Sequence, residues 1–349
     1  MREHFLLDDD VVFLNHGSFG ACPRPVFADY QRLQRELERN PVRFLALERE
    51  LPARLDEARA VLAAYVGAEL ANLVFVPNTS AALNAVVRSL ELGPRDEILM
   101  GDCEYGGMEI LWQHVARGSG ATIVRRPFAE LEPGPRTRVV FCSHVEWSTG
   151  RVNDLAPMLA AARAAGAIAI VDGAHAPGQI PLELDELAPD VYAGNAHKWL
   201  CAPKGAAFLY VREHLHPVVE PAVVSWDWQP DAPFATRHRW QGTRDPAAYL
   251  AVPAAIAFQD EHDWPSVRRG CHELLASLEL PLSPLADDYV QMRGFRVDHP
   301  SPLELRRHLQ DELKIEVPVF ETRHGWVLRV SVQAYNDERD LDALASALT

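Results

Sequence analysis

Between residues 73 and 211 the chain alternates short apolar runs with alanine-rich stretches of helical spacing. Leu83, Val86, Val87 and Leu90 fall on one face of a predicted helix at 81–90, and a second helix is predicted at 155–165. Apolar runs separated by helices are typical of a sheet with parallel strands. The pattern therefore predicts a large α/β domain with seven strands, at 73–76, 97–100, 122–126, 138–142, 167–171, 190–193 and 207–211.

The N-terminal and C-terminal parts of the chain do not show this alternation of apolar runs and alanine-rich stretches. Residues 30–65 carry long charged side chains with recurring Leu and Ala, interrupted by prolines, which predicts two or three helices. A short apolar run at 11–14 breaks at the glycines of 15–20, which predicts a shaped loop. Near the C-terminus we expect helices at 303–314 and 337–348 around a strand at 326–332. The predicted domains are a large one over 21–260 and a smaller α+β one over 261–349, which the N-terminal arm, 1–20, joins.

Charge and composition narrow the class of function. The chain has 349 residues and a net charge of -15, which opposes binding to nucleic acid or to an anionic membrane. No apolar run approaches the roughly 20 residues of a membrane span, and the acidic first ten residues do not resemble a secretory signal. Five scattered cysteines without a CxxC pair argue against a disulfide framework and against zinc. We expect a cytoplasmic, metal-free protein that acts on a small molecule.

Three groups of distinct chemistry follow predicted strands. Lys198 lies at a strand's carboxyl end, where a partly deprotonated amine can form a Schiff base with an aldehyde. Asp172 ends another strand, and a carboxylate there can keep a pyridine nitrogen protonated. Thr79 and Ser80 open a helix, whose hydroxyls, N–H groups and dipole favour a phosphate. Each group alone also fits a surface lysine, a strand-end acid or a helix cap. Together they meet the needs of one cofactor, pyridoxal 5'-phosphate.

Seven motifs, in order along the chain, carry a resemblance to a known family. The chain resembles the class V aminotransferases of the fold-type I pyridoxal-phosphate enzymes. Within them it is most similar to the isopenicillin N epimerase-like branch, which includes cysteine-sulfoxide lyases of thiohistidine synthesis. The resemblance implies a mainly parallel seven-stranded sheet with a smaller C-terminal domain. The motifs are LNHGSFG at 14–20, NTS at 78–80, SHVEWSTG at 143–150, DGAHAPG at 172–178, NAHKW at 195–199, GTRD at 242–245 and LRVSVQAYN at 328–336.

The resemblance also implies residue roles around the cofactor. Lys198 would carry it as a Schiff base, Asp172 would pair with the pyridinium nitrogen, and His175 would neighbour the phenolic oxygen of the ring. Tyr105 would stack on the ring, since an aromatic side chain beside glycines leaves room for it. The other implied cofactor contacts are Asn78, Thr79, Ser80, Thr149 and His197 from one subunit, and Gly242 and Thr243 from the partner subunit of a homodimer.

The implied substrate is a small amino acid. Arg329 matches the family's carboxylate-binding arginine, and it sits in an otherwise apolar predicted strand. A planar guanidinium can hold a carboxylate through two parallel hydrogen bonds. Asn15 and Gly17 would line the same pocket.

The reaction stays open at this point. After the Cα proton leaves, return to Cα gives epimerisation, delivery to the cofactor gives transamination, and loss of a β-substituent gives elimination, with Lys198 as the shared base. We expect an epimerase or a carbon–sulfur lyase, with an amino-acid aminotransferase as the alternative. A cysteine desulfurase is disfavoured because no cysteine follows Cys271.

Three further considerations limit the choice. Residues 277–298 are short for the family's small domain, which disfavours a bulky tripeptide-derived substrate. A cofactor-free Schiff-base aldolase would use Lys198 but would need neither Asp172 nor the phosphate-binding helix start. A binding protein without catalysis would have little reason to keep the lysine, the acid and the arginine together.

Overall fold

Buried apolar runs form strands where the alternating pattern predicts them. The computed structural model describes residues 1–349. Short runs bounded by loops favour strands because branched and aromatic side chains pack well on a pleated surface. In chain order the strands are β1 (Val12–Phe13), β2 (Leu73–Val76), β3 (Glu97–Gly101), β4 (Thr122–Arg126), β5 (Thr137–Ser143), β6 (Ile168–Asp172), β7 (Val191–Asn195), β8 (Ala207–Val211), β9 (Met292–Arg296), β10 (Ile315–Glu316), β11 (Val319–Thr322) and β12 (Gly325–Ser331).

Helices fill most of the connections between these strands. Several begin with a proline in the first turn, where its missing N–H costs nothing. They are α1 (His16–Phe19), α2 (Arg24–Arg39), α3 (Pro41–Leu45), α4 (Leu51–Tyr65), α5 (Thr79–Ser89), α6 (Gly106–Ser119), α7 (Leu155–Ala165), α8 (Leu184–Leu187), α9 (Phe234–Arg239), α10 (Ala247–Leu250), α11 (Val252–Glu261), α12 (Trp264–Ala276), α13 (Pro302–Arg307) and α14 (Glu338–Ala347). Single 3₁₀ turns occur at Arg2–His4, Leu70–Asn72, Phe128–Glu130 and Glu213–Leu215, and a π-turn at His308–Glu312.

Seven strands form one sheet in the order β2-β8-β7-β6-β5-β3-β4. All are parallel except β8, which runs antiparallel to both of its neighbours. Alternate residues of the central strands face opposite layers: Val140 and Val171 pack into one core, Phe141 and Ile170 into the other. The two covered faces explain the continuous apolar runs, because a strand buried on both sides needs no polar alternation. The predicted α/β fold with a mainly parallel seven-stranded sheet is confirmed.

The C-terminal region forms a smaller antiparallel sheet in the order β11-β12-β9. The N-terminal arm contributes β1, which pairs in parallel with β10, and Asn15 bridges Ser331 at the end of β12. The start of the arm also contacts the large core through Phe5. The arm therefore connects both cores, and the domain limits, 21–260 against 1–20 with 261–349, stay a prediction.

Three local predictions need correction. The segment 15–20 is not a plain loop, because residues 16–19 close one helical turn, α1, which ends at Gly20 with a φ of +71°. Helix α5 begins at Thr79 rather than at residue 81, because the Asn78 side chain caps it by accepting from the Ala81 N–H. The predicted helix 303–314 divides into α13 and the π-turn.

No helix combines the length and the apolar character needed to cross a membrane.

Candidate active site

A cavity of about 460 Å³ opens where three adjacent parallel strands end. The last residues of β5, β6 and β7, namely Ser143, Asp172 and Asn195, all line it. Ligands bind outside the carboxyl ends of the strands in open α/β sheets, because the loops there diverge and leave a crevice. The small domain closes the opposite side with β12. The cavity wall includes these predicted residues: Gly17, Asn78, Thr79, Ser80, Tyr105, Asp172, His175, His197, Lys198 and Arg329.

Lys198 contributes an amine to the wall of the cavity. Its Nζ lies 3.1 Å from His175 Nε2. The surrounding protein lowers the pKa of the amine to about 7; burial is the main cause, the positive charge of Arg329 adds to it, and Asp172 opposes it. A neutral amine with a free lone pair is a nucleophile and a base, whereas an ammonium is neither. The fold therefore prepares Lys198 for both functions near neutral pH.

Asp172 and His175 lie on the loop that follows β6. The carboxylate is buried and accepts a hydrogen bond of 2.9 Å from the Ala174 N–H. Burial raises the pKa of Asp172, while the Ala174 N–H and the charge of Lys198 act against that rise. Burial holds the pKa of His175 well below its usual range, so the imidazole is neutral. The sheet thus places an acid and a neutral histidine beside the lysine.

The start of α5 forms a polar corner of the cavity. The Thr79 N–H donates to Asn195 Oδ1 at 3.0 Å, which ties the helix start to the end of β7. The Thr79 hydroxyl is buried and has no hydrogen-bond partner within the chain. A buried hydroxyl without a partner is costly, so a ligand atom is expected to pair with it. Ser80 and His197 line the same corner, which suits an anion at a helix N-terminus.

Arg329 lies on β12 on the small-domain side of the cavity, with 3% of its surface exposed. Its Nη1 donates to the Trp147 carbonyl at 2.7 Å, and its Nη2 donates to the Ser18 hydroxyl at 3.0 Å. The Nε–H is buried and has no partner. Burial lowers the pKa of the guanidinium only to about 10, so it stays charged. A fixed, charged guanidinium with an unpaired donor is suited to a carboxylate.

Aromatic side chains surround Arg329 on the cavity wall. The rings of Trp147 and Phe320 stack with their centroids 4.5 Å apart, and Tyr105 meets Trp147 edge-on at 5.7 Å. Arg329 lies over Phe320 at 5.8 Å from the ring centroid. Phe19 of the N-terminal arm completes this aromatic wall (Phe19, Tyr105, Trp147, Phe320) and is 73% exposed. An exposed large apolar side chain at a cavity mouth marks a surface available to a ligand.

Comparison with known proteins decides the family. The family model for class-V aminotransferases matches residues 12–292. The chain belongs to the class-V aminotransferase family. Isopenicillin N epimerase from Streptomyces clavuligerus is 37% identical to this class-V protein, over 99% of the chain and 96% of the relative. That alignment runs over 385 positions, more than the 349 residues of the chain, so the relative carries segments without a counterpart here.

Two further similarities widen the range of activities among relatives. A probable chloroplastic L-cysteine desulfhydrase from Arabidopsis thaliana is 25% identical, over 98% of this class-V chain and 84% of the relative. The cystine C–S lyase C-DES, solved with its reaction product cysteine persulfide, superposes with a TM-score of 0.84 at 23% identity and covers 97% of both chains. That structural likeness shows the fold alone.

Family membership confirms the predicted cofactor, pyridoxal 5'-phosphate, and the cavity of this class-V enzyme fits it. The unpaired hydroxyl of Thr79 could donate to a phosphate oxygen. The buried carboxylate of Asp172 suits a pyridinium nitrogen, and the neutral amine of Lys198 suits an aldehyde. The one cavity thus brings together the three groups that the sequence places far apart along the chain.

Four predicted site residues do not line the cavity. Asn15 lies behind Arg329, since its Oδ1 accepts from Ser18 and, at 3.5 Å, from Arg329 Nη2. Thr149 turns away because its hydroxyl donates to Glu146. Gly242 lies on the surface outside the cavity, and Thr243 borders a separate surface groove beside α2 and α3. Within a single chain neither of the last two reaches the cofactor site.

Several cavity residues were not singled out from the sequence. Ser143 and Asn195 had a usable signal, because both end predicted strands of the sheet. Glu104 does not line the cavity, but its buried carboxylate accepts from both the N–H and the hydroxyl of Ser143, and burial raises its pKa to about 8. Phe320 had no local signal, because only the packing of the small domain on the large one brings it to Trp147.

Three side chains of types that can bind metal ions lie close together outside the cavity. Asp102, Cys103 and His324 have ligand-type atoms within 4.8 Å of one another. His324 lies on the turn between β11 and β12, and its Nε2 is 3.4 Å from Asp102 Oδ2.

Proposed function

We propose that this enzyme removes the α-proton of a small α-amino acid and adds a proton to the opposite face of Cα, which makes it an amino-acid epimerase. The observation that carries the proposal is one cavity whose wall holds both a lysine amine with a lowered pKa and a buried, fixed arginine. An epimerase needs a base at Cα and a firm hold on the carboxylate. Relatives that are 37% and 38% identical over nearly the whole chain bear the name isopenicillin N epimerase, which supports this reaction.

Lys198, Asp172 and Arg329 each have a separate role in the proposed reaction. When bound, pyridoxal 5'-phosphate supplies a carbonyl that condenses with amines and a ring that draws electrons from Cα. Lys198 Nζ accepts the α-proton, because burial lowers its pKa to about 7 and so leaves a substantial fraction of the amine unprotonated near neutral pH. Asp172 supplies the negative charge that a protonated ring nitrogen requires. Arg329 holds the α-carboxylate and so fixes the position of Cα relative to the amine.

Elimination of a sulfur-containing β-substituent is the second candidate. The aromatic wall favours this reaction, because sulfur packs well against aromatic rings and a departing thiol would contact these rings as it leaves. The desulfhydrase relative supports the same reaction class. Cysteine desulfurase remains disfavoured, because none of the five cysteines lines the cavity.

The deciding experiment offers the holoenzyme a panel of L- and D-amino acids in heavy water. We expect deuterium at Cα together with the opposite enantiomer, because the proton that leaves Cα exchanges with solvent before it returns. Release of pyruvate, ammonia and a thiol would instead identify the lyase, and a requirement for a keto acid would identify an aminotransferase. Absence of Cα exchange with every amino acid of the panel would refute the proposal.

Replacement of Arg329 by Lys tests the carboxylate site. We expect KM for the amino acid to rise by roughly tenfold to a hundredfold, because an ammonium cannot reproduce the planar pair of hydrogen bonds. Cofactor binding, measured by visible absorbance, should change little. Arg323→Lys is the matched control, since Arg323 is exposed on the β11–β12 turn outside the cavity. Equal weakening of cofactor and amino acid in Arg329→Lys would contradict the assignment.

We further propose that the enzyme works as a homodimer in which Gly242 and Thr243 reach the partner's phosphate corner. The surface segment 218–226 exposes Val218, Val223, Val224 and Trp226, the last by 83%. An apolar patch of this kind is typical of a protein interface. The Arg239–Asp227 pair joins this segment to the end of α9, three residues before Gly242.

Sedimentation at micromolar concentration tests the dimer. We expect twice the chain mass of 38.9 kDa, and Thr243→Ala should weaken cofactor binding without dissociating the dimer. A monomer that still binds the cofactor tightly would eliminate this model.

A further inference from the structure

The residue after the lysine, Trp199, has a defined contact that the proposed function does not use. Its indole is fully buried, and Nε1 donates to His175 Nδ1 at 3.2 Å. An indole nitrogen is a donor only, so Nδ1 must offer a lone pair. A neutral imidazole carries one N–H group, which therefore resides on Nε2.

His175 Nε2 is the atom that faces the lysine, 3.1 Å from Nζ. Because Nε2 carries the hydrogen, Lys198 has to accept this bond, and only a neutral amine can accept. If Lys198 became an ammonium, the indole and the amine would both direct hydrogens at one neutral imidazole that has a single lone pair. The contact with Trp199 thus penalises the charged form of the lysine through His175.

The position of Trp199 is fixed by further contacts. Its carbonyl accepts from the Gln259 side chain at 3.0 Å. The backbone of Gly178, with φ at +87°, approaches so closely that an added Cβ would lie 2.2 Å from the Trp199 carbonyl oxygen. Because these contacts hold Trp199 in place, its indole can fix the orientation of the His175 ring, as outer-shell partners of functional histidines do.

We propose that Trp199 is a positioning residue that holds His175 as its Nε2–H tautomer and thereby keeps Lys198 a hydrogen-bond acceptor. His175 then presents a donor, not a base, at the point where the amine acts. A proton that Lys198 takes from substrate is therefore not passed on to His175, because Nε2 already carries a hydrogen. The inference about catalysis rests on the proposed function, whereas the tautomer does not.

Other charged or titratable groups also face Lys198, and the test has to leave them intact. Asp172 stabilises the charged amine, while Arg329 destabilises it. His16 Nε2 contacts the Lys198 carbonyl at 3.0 Å. His197 and Lys204 lie close enough to influence the same region. None of these five contacts the Trp199 indole nitrogen through a hydrogen bond.

The test compares wild type with Trp199→Phe in cofactor-free enzyme labelled with ¹⁵N-histidine. The His175 signals are assigned from their loss in His175→Gln. In wild type we expect an unprotonated Nδ1 and a protonated Nε2 at pH values below and above the titration of Lys198. In Trp199→Phe we expect protonation of Nδ1 to appear at the lower pH, because a charged lysine can then donate to Nε2.

A second readout is the pH dependence of cofactor uptake, since only the neutral amine reacts. The midpoint should move up by roughly one pH unit in Trp199→Phe, which corresponds to one hydrogen bond. Trp264→Phe is the matched control, because it removes another buried indole bond of 3.2 Å, to the Gly178 carbonyl, without a hydrogen bond to His175. Its midpoint and tautomer should match wild type.

Two results would overturn the inference. One is a protonated Nδ1 in the wild-type enzyme. This measurement does not need Trp199→Phe, so it tests the inference even if that variant fails to fold. The other is a Trp199→Phe protein with an unchanged tautomer and an unchanged midpoint. A confirmed Nε2–H tautomer in an enzyme that exchanges no Cα hydrogen would refute the proposed function and leave the structural inference standing.

Discussion

Replacement of Lys198 by Ala should remove the visible absorbance of the lysine-linked cofactor and lower Cα hydrogen exchange by roughly a thousandfold or more. In the proposed reaction this side chain supplies both the amine that joins the cofactor and the base that takes the α-proton. The chain has only two more lysines, Lys204 and Lys314, and neither lines the cavity. The measurements are an absorbance spectrum and exchange in heavy water.

The control for this prediction is Lys314→Ala, which removes an exposed lysine far from the cavity. It should keep both the absorbance band and the exchange rate. Reduction of the holoenzyme with borohydride, followed by peptide mass analysis, should place the cofactor on Lys198. A Lys198→Ala enzyme that retains the band would show that another residue binds the cofactor covalently.

Replacement of Asp172 by Asn should leave the cofactor bound but slow Cα exchange by roughly a hundredfold to a thousandfold. An amide has almost the same shape as the carboxylate and can still accept from the Ala174 N–H. It carries no negative charge, so it cannot stabilise a protonated ring nitrogen. Cofactor content by absorbance and exchange rate by mass spectrometry separate the two effects.

Asp185→Asn is the control for Asp172→Asn. Asp185 also accepts from a backbone N–H, that of Glu69, and from the Tyr210 hydroxyl, but it lies outside the cavity. Its loss should affect stability rather than exchange. Near wild-type exchange in Asp172→Asn would remove the electronic role given to this acid.

The sheet was predictable from the sequence because its strands are buried on both faces. A strand such as β6 has to be apolar at every position, and Asp172 at its end marks where burial in the sheet gives way to the cavity. The same reasoning locates Lys198 and Thr79 at neighbouring edges. The strand order, including the reversed β8, was not predictable, since it depends on contacts between residues far apart in the chain.

The substrate side of the cavity was predicted less completely. Arg329 could be found because a charge inside an apolar strand needs a reason. The pairing of Trp147 with Phe320 could not, because it forms only when β11 packs against the loop after β5. The helical turn α1 was also missed, since a segment with two glycines and a histidine has low helix propensity and takes this form through its tertiary contacts.

The contacts of residues 15–20 limit how the substrate specificity of the enzyme can be changed. Ser18 holds the guanidinium of Arg329, while His16 contacts the Lys198 carbonyl, and Gly20 lies so close that a Cβ would meet the carbonyl oxygen of His197 at 2.1 Å. A library randomised over this turn would disturb recognition and reactivity together. The aromatic wall at Trp147 and Phe320 contacts Arg329 but has no hydrogen bond to Lys198, so changes to these two rings would alter substrate recognition without a direct effect on the reactive amine.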